Sequence, residues 1–174
     1  YKVTMKAKNE KGEHENTKDA FIIVSDAAAG DLALLSGGKP TEATAYVNAN
    51  EAPEFAVDGD VTKKWCATGT PPHEITIDLG DVKTISRVSI SHAQAGGESY
   101  DMNTKSYVIS VSEDGSSYTD VVTVTRNTKD ITNDAFAPIN ARYVKLSVVK
   151  PTQGADTAAR IYEIEVYGTE NVAK

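Results

Sequence analysis

The densest group of reactive side chains falls in one short stretch, His92-Ala93-Gln94-Ala95-Gly96-Gly97-Glu98-Ser99-Tyr100-Asp101-Met102-Asn103-Thr104. It gathers an imidazole, two carboxylates, an amide and a phenol around a glycine pair. Such a set can exchange hydrogen bonds with clustered hydroxyls while a ring offers C–H bonds a flat face, and a polyhydroxylated ligand requires both. Each residue also has a plainer role. His92 could bond backbone at a strand end, Asn103 could cap a turn, Tyr100 could pack over the loop, and Glu98 and Asp101 could be solvated. The cluster favours binding over catalysis. Glu98 and Asp101 lie three residues apart on one loop, whereas glycosidase carboxylates flank the scissile bond from opposed elements. The sequence contains no nucleophile elbow, phosphate loop or metal-hydrolase motif. The single cysteine, Cys66, has no histidine near it in sequence and reads as a small pocket-lining residue, not a nucleophile. It also rules out an internal disulfide or a cysteine-based zinc site.

A second constellation is Asp58-Gly59-Asp60. An Asp-Gly-Asp turn brings carboxylates and bent-back carbonyls together, the hard oxygen environment that calcium requires. On the local sequence alone an ordinary turn is the favoured reading. His14 and His73, the latter after Pro71-Pro72, read as surface residues.

The elements that must position these residues are strands. Thr76–Leu79, Arg87–Ser91, Tyr107–Val111, Val122–Thr125, Tyr143–Val148 and Tyr162–Tyr167 alternate apolar with polar residues and are rich in Val, Ile, Tyr and Thr. That two-residue period marks half-buried strands. Glu113-Asp114-Gly115 and Ala95-Gly96-Gly97 are turn signals that suit short antiparallel connections. An all-β sandwich is therefore expected. Helical segments are limited to single turns at Asp26–Leu35, which Gly30 interrupts, and at Ala52–Val57.

The chain has 174 residues, 18 basic and 25 acidic side chains and a net charge of −7. That length supports one ordinary domain, or one plus a fragment of another. The acidic balance and the scattered basic residues argue against nucleic acid or an anionic membrane as partner. No apolar run approaches the roughly 18 residues of a membrane helix, and Tyr1 opens directly into an alternating segment, so no signal peptide is expected. A boundary is expected near residues 26–40. Ahead of it, Tyr1–Ala7 and Phe21–Val24 read as two strands flanking the polar stretch Asn9–Asp19. Two strands cannot make a core of their own. Residues 1–30 resemble the last hairpin of an immunoglobulin-like or polycystic-kidney-disease-type spacer, or serve as an extension packing on the main domain.

Six landmarks follow in order: Phe55-Ala56-Val57-Asp58-Gly59-Asp60, Lys64-Trp65, Ile77-Asp78-Leu79-Gly80, Ser112-Glu113-Asp114-Gly115, Ala141–Leu146 and Ile161–Gly168. In this order, residues 31–170 resemble the discoidin, or coagulation factor V/VIII type C, family, and within it the family 32 carbohydrate-binding modules of bacterial glycosidases. The resemblance implies a discoidin-like jelly-roll β-sandwich and a noncatalytic role. It implies a module that tethers a secreted glycoside hydrolase, such as an endo-β-N-acetylglucosaminidase, to galactose, N-acetylgalactosamine or N-acetylglucosamine units. It further implies an extracellular, monomeric module within a larger chain. Membrane insertion is not expected, because the loops lack adjacent large apolar residues. The alternative is a protein-binding or structural adhesion module of a bacterial surface protein. By the same resemblance His92, Glu98 and Asn103 point into the sugar pocket, with Tyr100 and Glu51 beside it and Trp65 either stacking on sugar or supporting the floor. A structural calcium ion is implied, held by the side chain of Asp58, the carbonyls of Phe55, Asp60 and Tyr162, and the Glu163 carboxylate. Lys63 stands where the family usually has Thr, so either Lys63 gives only its carbonyl or the loop shifts to use Thr62.

Overall fold

The computed structural model describes residues 3–9, 12–18 and 32–169, the first two segments as backbone. The chain divides into two compact units, residues 1–30 and 31–174. In the first unit β1 (Val3–Asn9) pairs antiparallel with β2 (Gly12–Lys18), in a register running from Val3↔Lys18 to Asn9↔Gly12. The polar stretch expected to separate two strands is thus itself the second strand. The expected strand at Phe21–Val24 and the side chain of His14 lie outside the described residues.

The second unit contains β3 (Ala33–Leu34), β4 (Thr41–Ala43), β5 (Trp65–Ala67), β6 (His73–His92), β7 (Ser106–Ser112), β8 (Thr119–Val124), β9 (Ile131–Lys150) and β10 (Ala159–Thr169). Ala33–Leu34 pairs with β10, so the described end of the expected turn at Asp26–Leu35 is strand. Short 3-10 turns occupy Pro53–Ala56, Ala93–Gly96 and Tyr100–Met102. No α-helix occurs among the described residues.

β6 and β9 run 20 residues each and change partners along their length. The first half of β6 pairs with β4 and with Tyr143–Val148, and its second half with β10 and Ile131–Ala135. Register shifts between Asp78 and Lys83 and between Ile85 and Arg87 mark the crossing. Such irregularities bend a strand and let it pass from one layer of a sandwich to the other. Strict alternation of buried and half-buried residues from His73 to Leu79 turns Ile75, Ile77 and Leu79 inward against Val144, Leu146, Ile161 and Ile164. Burying a side chain of this kind contributes about 1.5–3 kcal/mol. The result is an all-antiparallel jelly-roll sandwich, and the loops around residues 44–64, 93–105 and 151–158 link its strands.

Candidate functional site

β5 and β10 pair so that Cys66 faces Arg160 and Trp65 faces Ile161. Lys64, just before β5, and Arg160, one residue into β10, therefore emerge side by side. The loop after β6 brings Glu98 between them. One Glu98 oxygen accepts from Lys64 Nζ at 2.7 Å and from the Tyr162 hydroxyl at 2.8 Å, and the other lies 3.1 Å from Arg160 Nε. Lys64 Nζ also lies 3.5 Å from a Glu51 oxygen, and Asn48 Nδ2 donates to the other Glu51 oxygen at 3.2 Å. Arg160 reaches Asp156 at 2.9 Å. A residue at position 96 with a side chain would overlap the Tyr162 ring; glycine there lets the loop lie on that ring and carry Glu98 to its phenol.

The side chains of Lys64, Glu98, Glu51 and Arg160 retain 20%, 24%, 27% and 17% exposure. They form a polar rim that is fixed internally yet reachable from solvent. Burial opposes the Lys64 charge, but the hydrogen bond and charge of Glu98 prevail and hold the ammonium above its usual range. Arg160 is raised likewise, with Asp156 and Glu98 overcoming burial. Burial first, then Glu98, raises the Tyr162 phenol, which stays a neutral donor. Preorganised donors and acceptors of this kind match hydroxyl geometry at little further ordering cost. Cys66 is buried and its thiol is pushed up by burial, so it has no nucleophilic character.

Of the residues singled out in the sequence, Glu98 and Glu51 converge on this rim, and Tyr100, two residues beyond Glu98 in the same loop, is 59% exposed. Three do not reach the surface. His92 is 0% exposed; its Nε2 lies 3.3 Å from Thr132 Oγ1 and its ring packs 5.6 Å from that of Tyr107. Asn103 is also 0% exposed and braces the loop from beneath. Its Oδ1 accepts from the Gln94 amide at 2.8 Å, and its Nδ2 donates to Gln94 Oε1 at 3.2 Å and to the Thr128 carbonyl at 3.4 Å. Trp65 is fully buried and donates to the Ala45 carbonyl at 2.9 Å. It supports the floor and stacks on nothing external. The expectation that His92 and Asn103 point into a pocket is corrected: both hold the loop that presents Glu98. His73 is buried too, 2.8 Å from the Thr157 carbonyl, and is not a surface residue. Lys64, Arg160 and the Tyr162 hydroxyl are the site groups that the sequence left unassigned. The strand register Cys66↔Arg160 is the signal that joins them, and it exists only in the fold.

At the Asp58 turn, Glu163 accepts from the Gly59 amide at 3.0 Å. Burial, with Asp58, Glu165 and Asp60 adding to it against the Gly59 bond, pushes its carboxyl up to about 7. A 7% exposed acid beside two further carboxylates, with no base bonded to it, is the donor chemistry that a hard cation satisfies. Thr62 donates its hydroxyl to Asp60 at 2.6 Å. The Lys63 ammonium lies 3.5 Å from Asp58 and 3.1 Å from Asp60. Among the described residues no three His, Cys, Asp or Glu side chains converge on one point, so any ion here would rest largely on carbonyl oxygens.

The family model for the F5/8 type C domain matches residues 40–164, and the chain belongs to that family. Among solved structures it is similar to the family 32 carbohydrate-binding module of Streptococcus pneumoniae EndoD, with 26% identity, coverage of 79% of this chain and 100% of that one, and a TM-score of 0.70. It is also similar to chitosan-binding module 2, in complex with chitotriose, of the chitosanase/glucanase from Paenibacillus sp. IK-5, with 28% identity, coverage of 77% and 99%, and a TM-score of 0.64. The family 32 module of Clostridium perfringens NanJ, in complex with galactose, shares the fold at 21% identity, coverage of 78% and 98%, and a TM-score of 0.67. No curated protein matches the chain.

Proposed function

We propose that residues 31–169 are a noncatalytic carbohydrate-binding module that holds a glycan on the rim of Glu98, Glu51, Lys64 and Arg160. The observation that carries this reading is the Glu98 carboxylate, anchored by three donors and still open to solvent. Glu98 and Glu51 accept from sugar hydroxyls, Lys64 and Arg160 donate to them, and Tyr100 offers the ring face. Galactose, N-acetylgalactosamine and N-acetylglucosamine units are the candidate ligands, because their hydroxyls suit the donors and acceptors of this rim; the NanJ module in complex with galactose shares the fold. The carboxylates serve as acceptors. Glu98 and Glu51 share one ammonium, whereas hydrolysis requires two carboxyl groups that flank the scissile bond.

A small polar ligand with few contacts binds weakly, in roughly the high micromolar to millimolar range. Its value would come from tethering a secreted bacterial glycoside hydrolase to a glycan-bearing surface and so raising the local enzyme concentration. A structural calcium ion, held by the side chains of Asp58 and Glu163 and the carbonyls of Phe55, Asp60, Lys63 and Tyr162, would fasten the turn to β10. Lys63 contributes only its carbonyl, because its ammonium is a cation itself. A glycan array probed with the chain and with Glu98→Gln tests the binding reading. Signal on galactose- or hexosamine-terminated glycans that disappears in the variant supports it; no signal, or signal unchanged by the variant, overturns it.

A further inference from the structure

Two cavities on the flank of β4 are not used by the rim described above. One, of about 470 Å³, has Ala43, Ala49, Ala52 and Pro53 as its apolar floor. Tyr46, 54% exposed, stands over it with Glu42 and Glu54. The other, of about 420 Å³, is lined by Tyr118, Tyr143, Thr76 and Asp114. Glu42 lines both, so they meet there, where β4 pairs Glu42 with Thr76. Each volume is in the range of small-molecule sites.

The charges on this flank are unbalanced. Arg142 is matched by Asp78 at 2.7 Å and Lys145 by Glu74 at 3.8 Å, and the Lys39 charge also acts on Asp78. Asp114 is taken by the amides of Ser116 and Ser117 in its own turn. Glu42 and Glu54 are exposed, and among the described residues neither is in an ion pair. The rings here already attract cations, with the Lys145 ammonium 4.3 Å from the Tyr118 centroid and the Arg142 guanidinium 4.9 Å from that of Tyr143. Two free carboxylates among three tyrosines and an apolar floor select a ligand that is flat-faced and positively charged.

We propose that this groove is a second saccharide site, separate from the Glu98 rim, for an oligosaccharide of hexosamines with free, protonated amino groups. The ammonium groups meet Glu42 and Glu54, and a sugar face lies on the exposed Tyr46 ring. Acetylated chains lack the charge and bind less well; anionic chains are repelled.

The test is an amide-shift NMR titration of the full chain with a glucosamine trisaccharide and, separately, with its N-acetylated counterpart. Expected are shifts at residues 41–46, 52–54 and 115–118 and at least about tenfold tighter binding of the free amine than of the acetylated chain. The Glu42→Gln/Glu54→Gln variant should lose that preference with its melting temperature unchanged, whereas Glu98→Gln should leave these shifts in place. The proposal is overturned by shifts confined to the Glu98 rim, by equal affinity for the two trisaccharides, by an unaffected double variant, or by no shifts at all. Because Glu98→Gln reports only on the rim, failure here leaves the rim reading intact, and the reverse holds equally.

Discussion

Lowering the pH from 7.5 to 4 carries the buried His92 through its titration. His92 is enclosed by the Tyr107 ring, Thr132 Oγ1 at 3.3 Å and the Asp130 segment, whose carbonyl accepts from the His92 amide at 2.8 Å. Its Nδ1 is buried with no protein partner. Burial pushes the imidazole from 6.5 down to about 4, and the Asp130 charge offsets this only in part. Between those values the unfolded chain binds a proton that the folded chain refuses. The stability is therefore fully present above pH 6.5, falls as the pH drops, and reaches its full loss below pH 4. At 1.36 kcal/mol per pH unit the loss is about 3 kcal/mol, a large part of the roughly 5–15 kcal/mol that a domain possesses. Glu163, pushed up to about 7, titrates in the same window and works in the opposite direction. The assay is therefore a difference: urea unfolding of wild type and His92→Gln across pH 4 to 7.5 in one calcium-containing buffer. The advantage of wild type over the variant should shrink by about 3 kcal/mol from pH 7.5 to 4. Parallel curves would refute a buried neutral imidazole and with it the assignment of His92 as internal support.

Further expectations follow from the same contacts. Trp65, the sole tryptophan and 0% exposed, should show blue-shifted emission that resists iodide quenching and does not respond to added sugar; quenching comparable to free indole would contradict its place in the core. Asn103→Ala removes three loop-bracing bonds and should lower stability by about 1–3 kcal/mol, with faster amide exchange at Gln94; an unchanged melt would deny it that role. Chelation should lower the melting temperature, as loss of any ligand of the folded state does, and Asp58→Asn should abolish the difference between calcium and chelator. Identical melts in both conditions would remove calcium from the account.

The sandwich was legible because its strands carry a two-residue hydrophobic period, and Ile75, Ile77 and Leu79 point inward as that period requires. β2 was not, since Gly12-Glu13-His14-Glu15-Asn16-Thr17-Lys18 has no apolar face to read. At the site, the sequence located the loop but not the direction of its side chains. His92 continues the inward series Val88, Ile90, so the strand's own period already assigns it to the core. A histidine's capacity for chemistry outweighed that signal. Asn103 offers no such cue, because its burial depends on Gln94 folding back within the loop and on Thr128 and Gln153 arriving from two other segments. Lys64 and Arg160 are 96 positions apart in sequence numbering, and only the pairing of β5 with β10 makes them neighbours.

The claim on which the rest depends is that a sugar sits on the Glu98 carboxylate. Calorimetric titration of galactose, N-acetylgalactosamine and N-acetylglucosamine into wild type and Glu98→Gln tests it most directly. A measurable heat with at least one sugar, weakened about tenfold or more in the variant, is the predicted result. Heats that are equal in the two proteins, or absent for every sugar, would contradict it.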